Sequence, residues 1–282
     1  MDKKVIKIFD QAFAHESYCG SKIGGNESKY ITWDRSHVIN EGDVVFFTDS
    51  SLNLVENIKV NCKKIAWLIE PPSVYIQSYN YIKSNFDKFN LILSHQESLI
   101  GISDKVKMCP MWCSWVSTDK HKIETKTKKL SIIASNKKDT QGQRLRHDII
   151  NTIRNKTEID LYGGLTSCGI GYNPIKNKSE GLSPYMFSII IENEKSPYFF
   201  TEKIIDSLIT GTVPIYWGAD KIGNFFNTEG FIFINNLEDM ISILPELTEK
   251  KYNSLLPHIK ENFETAIKYT TVEDYIYEKF IK

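Results

Sequence analysis

Twice along this chain, short apolar runs rich in β-branched and aromatic residues alternate with longer stretches of helical spacing. No other feature narrows the fold as much. Strands that alternate with helices build βαβ units, whose sheet is parallel and covered on both faces. In the first series Val5–Phe9, Val44–Phe47, Ile65–Ile69 and Leu91–Ser94 read as buried strands. Val74–Phe86, with Pro71-Pro72 ahead of it, reads as a helix. The second series has strands at Leu130–Ala134, Glu158–Tyr162, Phe187–Glu192, Val213–Trp217 and Phe231–Ile234, and helices at Arg146–Ile153 and Thr201–Thr210. Glu246–Lys282 is helical by spacing, with an interruption expected at Pro257. Between the two series lies Thr118–Lys129, poor in apolar residues, with five Lys between Lys120 and Lys129. It reads as a solvated linker, and the expected domains are residues 1–125 and 126–282.

The chain has 282 residues, enough to bury a core in each of two such units. Hydrophobic residues at 41% and charged residues at 25% exclude a disordered or fibrous chain. Lys+Arg and Asp+Glu are both 35, so neither a nucleic-acid partner nor a membrane surface is indicated. No apolar run approaches the length of a transmembrane helix, and Val5–Phe9 turns polar too soon for a signal peptide. The five cysteines (Cys19, Cys62, Cys109, Cys113 and Cys168) are odd in number and scattered. They read as reduced thiols in a cytoplasmic protein. Glycosylation sequons at Asn26, Asn155 and Asn177 read as chance matches in an Asn/Lys/Ser-rich chain.

Common nucleotide and metal motifs are missing. There is no Gly-Lys dipeptide, no Gly-x-Ser-x-Gly elbow and no Asp-x-Asp, and the run Gly163–Gly171 does not fit G-x-G-x-x-G. Cys109 and Cys113 lack a second Cys/His pair at zinc spacing, so no metal ligands are assigned. His37, His95 and His147 read as surface or satisfied core residues, and Trp67, Trp112, Trp115 and Trp217 as core or cleft-wall aromatics. In a protein of two βαβ halves, a ligand belongs in the crevice at the carboxyl ends of the strands. The richest such segment is Tyr185–Gly218. A strand ends in Glu192-Asn193, and Thr201 then stands at an N-cap position with Glu202 and Lys203 in the first helical turn. A helix start offers free N–H groups and the positive dipole end to an anion. A cation there opposes the dipole, so Lys203 reads as a diphosphate ligand. Only four of the 35 basic residues are Arg, and Arg144, Arg146 and Arg154 lie close together. An otherwise Lys-using chain keeps Arg where a bidentate fork is needed.

In order, this segment supplies Tyr185, Phe187, Glu192, Asn193, Thr201, Glu202, Lys203, Val213, Pro214 and Gly218. Upstream stand Ala134-Ser135-Asn136, Leu145-Arg146, Asn177-Lys178-Ser179-Glu180 and Leu182. Together they resemble the C-terminal signature of the α1,3/4-fucosyltransferases, glycosyltransferase family 10, in its bacterial form. The likeness runs from Leu130 to Asn236; the N-terminal half matches only in layout. The resemblance implies a GT-B fold, two Rossmann-like α/β domains facing a cleft, with the acceptor on the first domain and the nucleotide sugar on the second. It also implies a tail helix that crosses back to the first domain. It implies that Arg146 and Lys203 hold the donor diphosphate, opposite Thr201 at the helix start. Asn193 and Glu202 would meet the donor's ribose or sugar, and Glu70 would be the general base. The family's Tyr before the Thr-Glu-Lys run is Phe199 here, and the neighbouring Tyr198 offers a replacement hydroxyl.

The chemistry follows independently. A sugar hydroxyl is a weak nucleophile at neutral pH, and a carboxylate at the acceptor cleft can take its proton. The leaving nucleoside diphosphate gains charge that fixed cations can stabilise. In-line attack inverts the anomeric centre. The expectation is therefore an inverting glycosyltransferase that moves L-fucose from GDP-fucose to a glycan hydroxyl and requires no cofactor. Two alternatives stay open: a transferase of the same fold using another nucleotide sugar, such as a UDP-sugar in exostosin-like fashion, and a non-catalytic nucleotide-sugar or glycan-binding protein.

Overall fold

The computed structural model describes residues 2–10, 26–163, 173 and 175–282. Cys19, Cys168 and most of the glycine-rich run after Gly163 lie outside these. A six-stranded parallel sheet contains β1 (Lys4–Phe9), β2 (Ile31–Asp34), β3 (Val44–Thr48), β4 (Lys63–Trp67), β5 (Leu91–Ser94) and β6 (Val106–Met108), in the order β2-β1-β3-β4-β5-β6. A five-stranded parallel sheet contains β7 (Lys128–Ile133), β8 (Asp160–Tyr162), β9 (Tyr185–Ile191), β10 (Val213–Trp217) and β11 (Ile232–Phe233), in the order β11-β10-β9-β7-β8. The main helices are α1 (Pro72–Ser84), α2 (Gln141–Ile153), α3 (Glu202–Ile209), α4 (Leu237–Ile243), α5 (Glu249–Ala266) and α6 (Val272–Ile276).

The central strands read as unbroken apolar runs because both their faces are covered. Every residue of β10 is buried, and all of β9 but Met186. One face of the first sheet packs Phe47, Leu52, Tyr79, Ile82 and Phe89 into a local core. Its other face, with Ile6, Phe46, Ile65 and Trp67, belongs to a core that runs through Trp112 into the second sheet. The two domains are thus joined by apolar packing as well as by the chain.

That joining has two covalent crossings. The chain leaves the first sheet after Met108 and returns from the second after α5. The crossings pair with each other: Ser114 N–H donates to Thr270 O at 3.0 Å, and Cys113 forms an antiparallel bridge with Thr271. The tail then docks on the first domain. Ser28 donates to Asp274, Tyr30 stacks on Tyr277, and Lys63 donates to Phe280 O. Asn26 and Asn177, the first and last sequon residues, serve the structure: Asn26 donates to Ser114 O and Val116 O, and Asn177 caps the turn at Lys178–Gly181. Among the described residues, no helix is long and apolar enough to cross a membrane.

Several expectations are corrected. Pro257 does not interrupt the tail; α5 runs through it from Glu249 to Ala266. Helix α2 starts five residues before Arg146, because Thr140 and Gln143 form a capping box. The Lys-rich segment is not simply solvated. Lys126 Nζ donates to Ser183 O (2.8 Å), Thr210 O (2.6 Å) and Thr212 Oγ1 (3.3 Å), and Ile123 sits where any side chain at Gly211 would clash. Burial pushes the Lys126 amine down to about 7. Lys126→Met is expected to lower unfolding stability by about 2–3 kcal/mol, since it leaves two buried carbonyls unmet. Chemical denaturation of the two proteins in parallel measures this; equal midpoints and slopes would mean that the staple is idle.

Candidate active site

The second sheet reverses its strand order between β7 and β9, where open α/β sheets hold ligands. From that point a cleft of about 530 Å³ opens toward the first domain. After β7 it is lined by Ser135 and Lys137, from α2 by Gln143 and Arg146, and after β9 by Asn193, Phe199, Thr201, Glu202 and Lys203. Across the gap the first domain contributes Ile69 and Glu70, and the crossing segment contributes Met111, Cys113 and Trp115.

Close backbone approach builds the donor side. A Cβ at Gly142 would lie 1.8 Å from Glu192 O, so only glycine lets the first turn of α2 reach the end of β9. A Cβ at Gly218 would meet the Tyr216 hydroxyl at 2.5 Å and Glu192 Cγ at 2.8 Å. These contacts set Glu192 in place. It is fully buried and accepts from Thr201 N–H (2.9 Å) and Thr201 Oγ1 (2.8 Å), with Lys203 Nζ at 3.3 Å. Thr201 is the N-cap of α3, as the sequence indicates.

Lys203 is not an unopposed cation. Besides Glu192 it has Glu202 at 3.4 Å, so local carboxylates offset its conflict with the helix dipole. The conflict with the dipole therefore does not by itself require a bound anion. Glu202 in turn faces Lys178 at 3.2 Å, and Lys178 pairs with buried Asp206 at 2.8 Å and lies over the Trp115 ring. Burial alone would raise the Glu202 carboxyl, but Lys203 and Lys178 outweigh it and hold it at about 2. Glu202 is therefore ionised throughout the neutral range.

Arg146 sits in the second turn of α2 and reaches back across β9. Its Nε and Nη2 donate to Ile191 O, and Nη2 also donates to Asn193 Oδ1 at 3.1 Å. This fixes the fork at the cleft wall and orients Asn193. Burial lowers its pKa from the ordinary arginine value without threatening its charge.

Glu70 follows β4 by three residues. Its carboxylate lines the cleft opposite these groups, and burial pushes it above the ordinary glutamate value, against the pull of Lys203. Of the seven residues singled out from sequence, six line one cleft: Glu70, Arg146, Asn193, Thr201, Glu202 and Lys203. Tyr198 does not. Its ring packs edge-on to Phe225 under Lys221, while Phe199 faces the cleft and touches His95 of the first domain. Neighbours in an irregular turn point apart, so Tyr198 does not bring its hydroxyl to the place of the missing one.

Trp115, read from sequence as a core or cleft-wall aromatic, lines the cleft. Lys137, Gln143 and Lys178 are not among the candidate site residues. Gln143 has a signal in its Thr-x-x-Gln capping box, and Lys178 in its place within Asn177–Glu180. Lys137 has none.

Residues 123–256 match the model of the glycosyltransferase family 10 (fucosyltransferase) C-terminal domain. Residues 123–256 thus resemble a family 10 C-terminal domain. The chain is also 35% identical over 119 residues to the alpha-(1,3)-fucosyltransferase FucT of Helicobacter pylori, which is 41% of this chain and 24% of that protein's length. The match to the curated relatives therefore spans about a quarter of their length or less. Among solved structures, an alpha1,3-fucosyltransferase with GDP superposes with a TM-score of 0.58 at 20% identity, covering 99% of this chain and 92% of that one. An alpha1,3-fucosyltransferase with GDP-fucose gives 0.54 at 20% identity, covering 90% and 83%. The likeness to these structures extends the shared architecture beyond the matched segment to both domains, the GT-B arrangement of two parallel-sheet α/β units.

Proposed function

We propose that the chain is an inverting glycosyltransferase that moves L-fucose from GDP-fucose to a glycan hydroxyl. One observation carries this reading: a carboxylate from the first domain, Glu70, and a set of cations from the second domain line the same cleft. The solved relatives with GDP and GDP-fucose support the choice of donor.

In this reading the acceptor rests on the first domain with its hydroxyl at Glu70. The acceptor oxygen bonds to the anomeric carbon as the bond to the diphosphate breaks, and Glu70 takes the proton. The raised pKa of Glu70 suits that task. Negative charge on the departing GDP is met by the guanidinium of Arg146, whose orientation its bonds to Ile191 and Asn193 fix in advance. Lys203 adds its charge from the first turn of α3. Buried thiols at Cys109 and Cys113 are consistent with the cytoplasmic placement we assign.

Phe199, which lines the cleft where the family pattern has Tyr, is the observation that favours another donor. Titration calorimetry with GDP, UDP and CDP, each with and without EDTA, separates the readings. GDP is expected to bind, and to bind equally well in EDTA, because the cleft carries its own fixed cations. Tight UDP binding without GDP binding would replace fucose by another sugar.

A further inference from the structure

Both peptide groups of Glu70 are held by buried polar side chains from three other elements. Asp49 begins the turn after β3 in a left-handed conformation, φ +32°, that is rare for a residue with a Cβ. Its Oδ1 accepts from Ile69 N–H at 2.9 Å, and its two oxygens accept from Glu70 N–H at 3.3 and 3.4 Å. Tyr79, on α1, donates its hydroxyl to Glu70 O at 2.7 Å, and that hydroxyl is 3.1 Å from His95 Nε2. His95 follows β5, is fully buried, and faces the peptides of Ile69 and Glu70. Phe199 of the second domain packs on its ring, with centroids 4.9 Å apart.

Burying three polar side chains is costly, and a left-handed Asp adds backbone strain. A turn between strand and helix can meet its backbone needs more cheaply at the surface. Here Glu70 is followed by Pro71 and Pro72, which lack N–H groups, so the two residues after it donate no backbone hydrogen bond. The side chains clamp the backbone on both sides while the Glu70 carboxylate itself is left facing the cleft.

We propose that Asp49, Tyr79 and His95 are positioning residues that fix Glu70 at the distance its proton transfer needs. The Phe199 contact ties this frame to the donor-binding domain, so Glu70 is set only when the two domains are together. The inference rests on the reading of Glu70 as general base. A displacement of about 1 Å at such a group costs up to 100-fold in rate.

The test measures GDP release from GDP-fucose with a panel of glycan acceptors, for wild type, Tyr79→Phe, Asp49→Ala, Asp49→Asn and Glu70→Gln. Tyr79→Phe keeps the ring and removes only the hydroxyl. It is expected to lower kcat by about 10- to 100-fold, with donor KM and GDP affinity near those of wild type and a folded protein whose melting temperature drops only modestly. Asp49→Ala is expected to act likewise, and Asp49→Asn, which keeps one acceptor oxygen, to recover most of the rate. In a Glu70→Gln background, Tyr79→Phe is expected to cost nothing further. Folded Tyr79→Phe and Asp49 variants at wild-type kcat, beside an impaired Glu70→Gln, would overturn the frame and leave the base in place. A fully active Glu70→Gln would overturn the base and the frame with it. Should Asp49→Ala not fold, Tyr79→Phe alone decides.

Discussion

Glu70→Gln is expected to lower kcat by about two to four orders of magnitude, the range of general acid–base catalysis, with GDP affinity nearly unchanged. The substitution keeps shape and burial and removes the proton acceptor. In the proposed role of general base Glu70 must be ionised, and burial raises its pKa. Activity therefore falls as pH drops through a value above that of an exposed glutamate, and the residual activity of the variant should lack that limb. A pH–rate profile of kcat/KM on both proteins checks this. An unchanged acid limb in Glu70→Gln would assign it to another group.

Lys203→Ala is expected to damage two properties at once. Glu192 is fully buried, and Lys203 is the cation paired with it at 3.3 Å. Removing the partly exposed partner of buried Glu192 costs about 1–3 kcal/mol, since the carboxylate keeps its two Thr201 bonds and the field of Arg146. GDP affinity should fall as well, since charge-assisted bonds to phosphate are about twice as strong as neutral ones. The double variant Lys203→Met/Glu192→Gln separates the effects. It removes the stranded charge and should regain most of the stability but none of the GDP affinity. Calorimetric titration beside thermal unfolding measures both; restored affinity would mean that Lys203 serves only Glu192.

What the sequence made legible follows from which elements are buried. Strands β3, β9 and β10 are covered on both faces and appear as apolar runs that no helix period explains. The edge strands β2 (ITWD) and β6 (VKM) are not legible because polar residues break their short apolar runs, whereas the equally short β8 is marked by the alternation Ile159-Asp160-Leu161 ahead of Gly163. Helix α3 was legible to its cap, since Thr201 announces it. Helix α2 starts five residues ahead of its apolar spacing because the signal for its start is the polar capping box of Thr140 and Gln143. Six of the seven candidate site residues stood in a quoted pattern or at a strand end. The electrostatics were not legible. Glu192 and Lys203 are eleven positions apart, and only the return of the chain from β9 into α3 makes them partners. The frame behind Glu70 joins Asp49, Tyr79 and His95 from three separate elements, a relation that spacing cannot encode.

The paired crossings between the domains have a mechanical consequence. A single tether would let the domains swivel freely. Two strands laid side by side and bonded at Ser114–Thr270 and Cys113–Thr271 behave like the spine of a book. Twisting or sliding of one domain against the other would have to break those bonds, whereas bending about their common axis would not. Cys113 and Trp115 stand on that spine and also floor the cleft. Opening would therefore part the Glu70 wall from the Arg146 wall along one coordinate while the floor stays fixed. The distance between those walls would be set by a single angle.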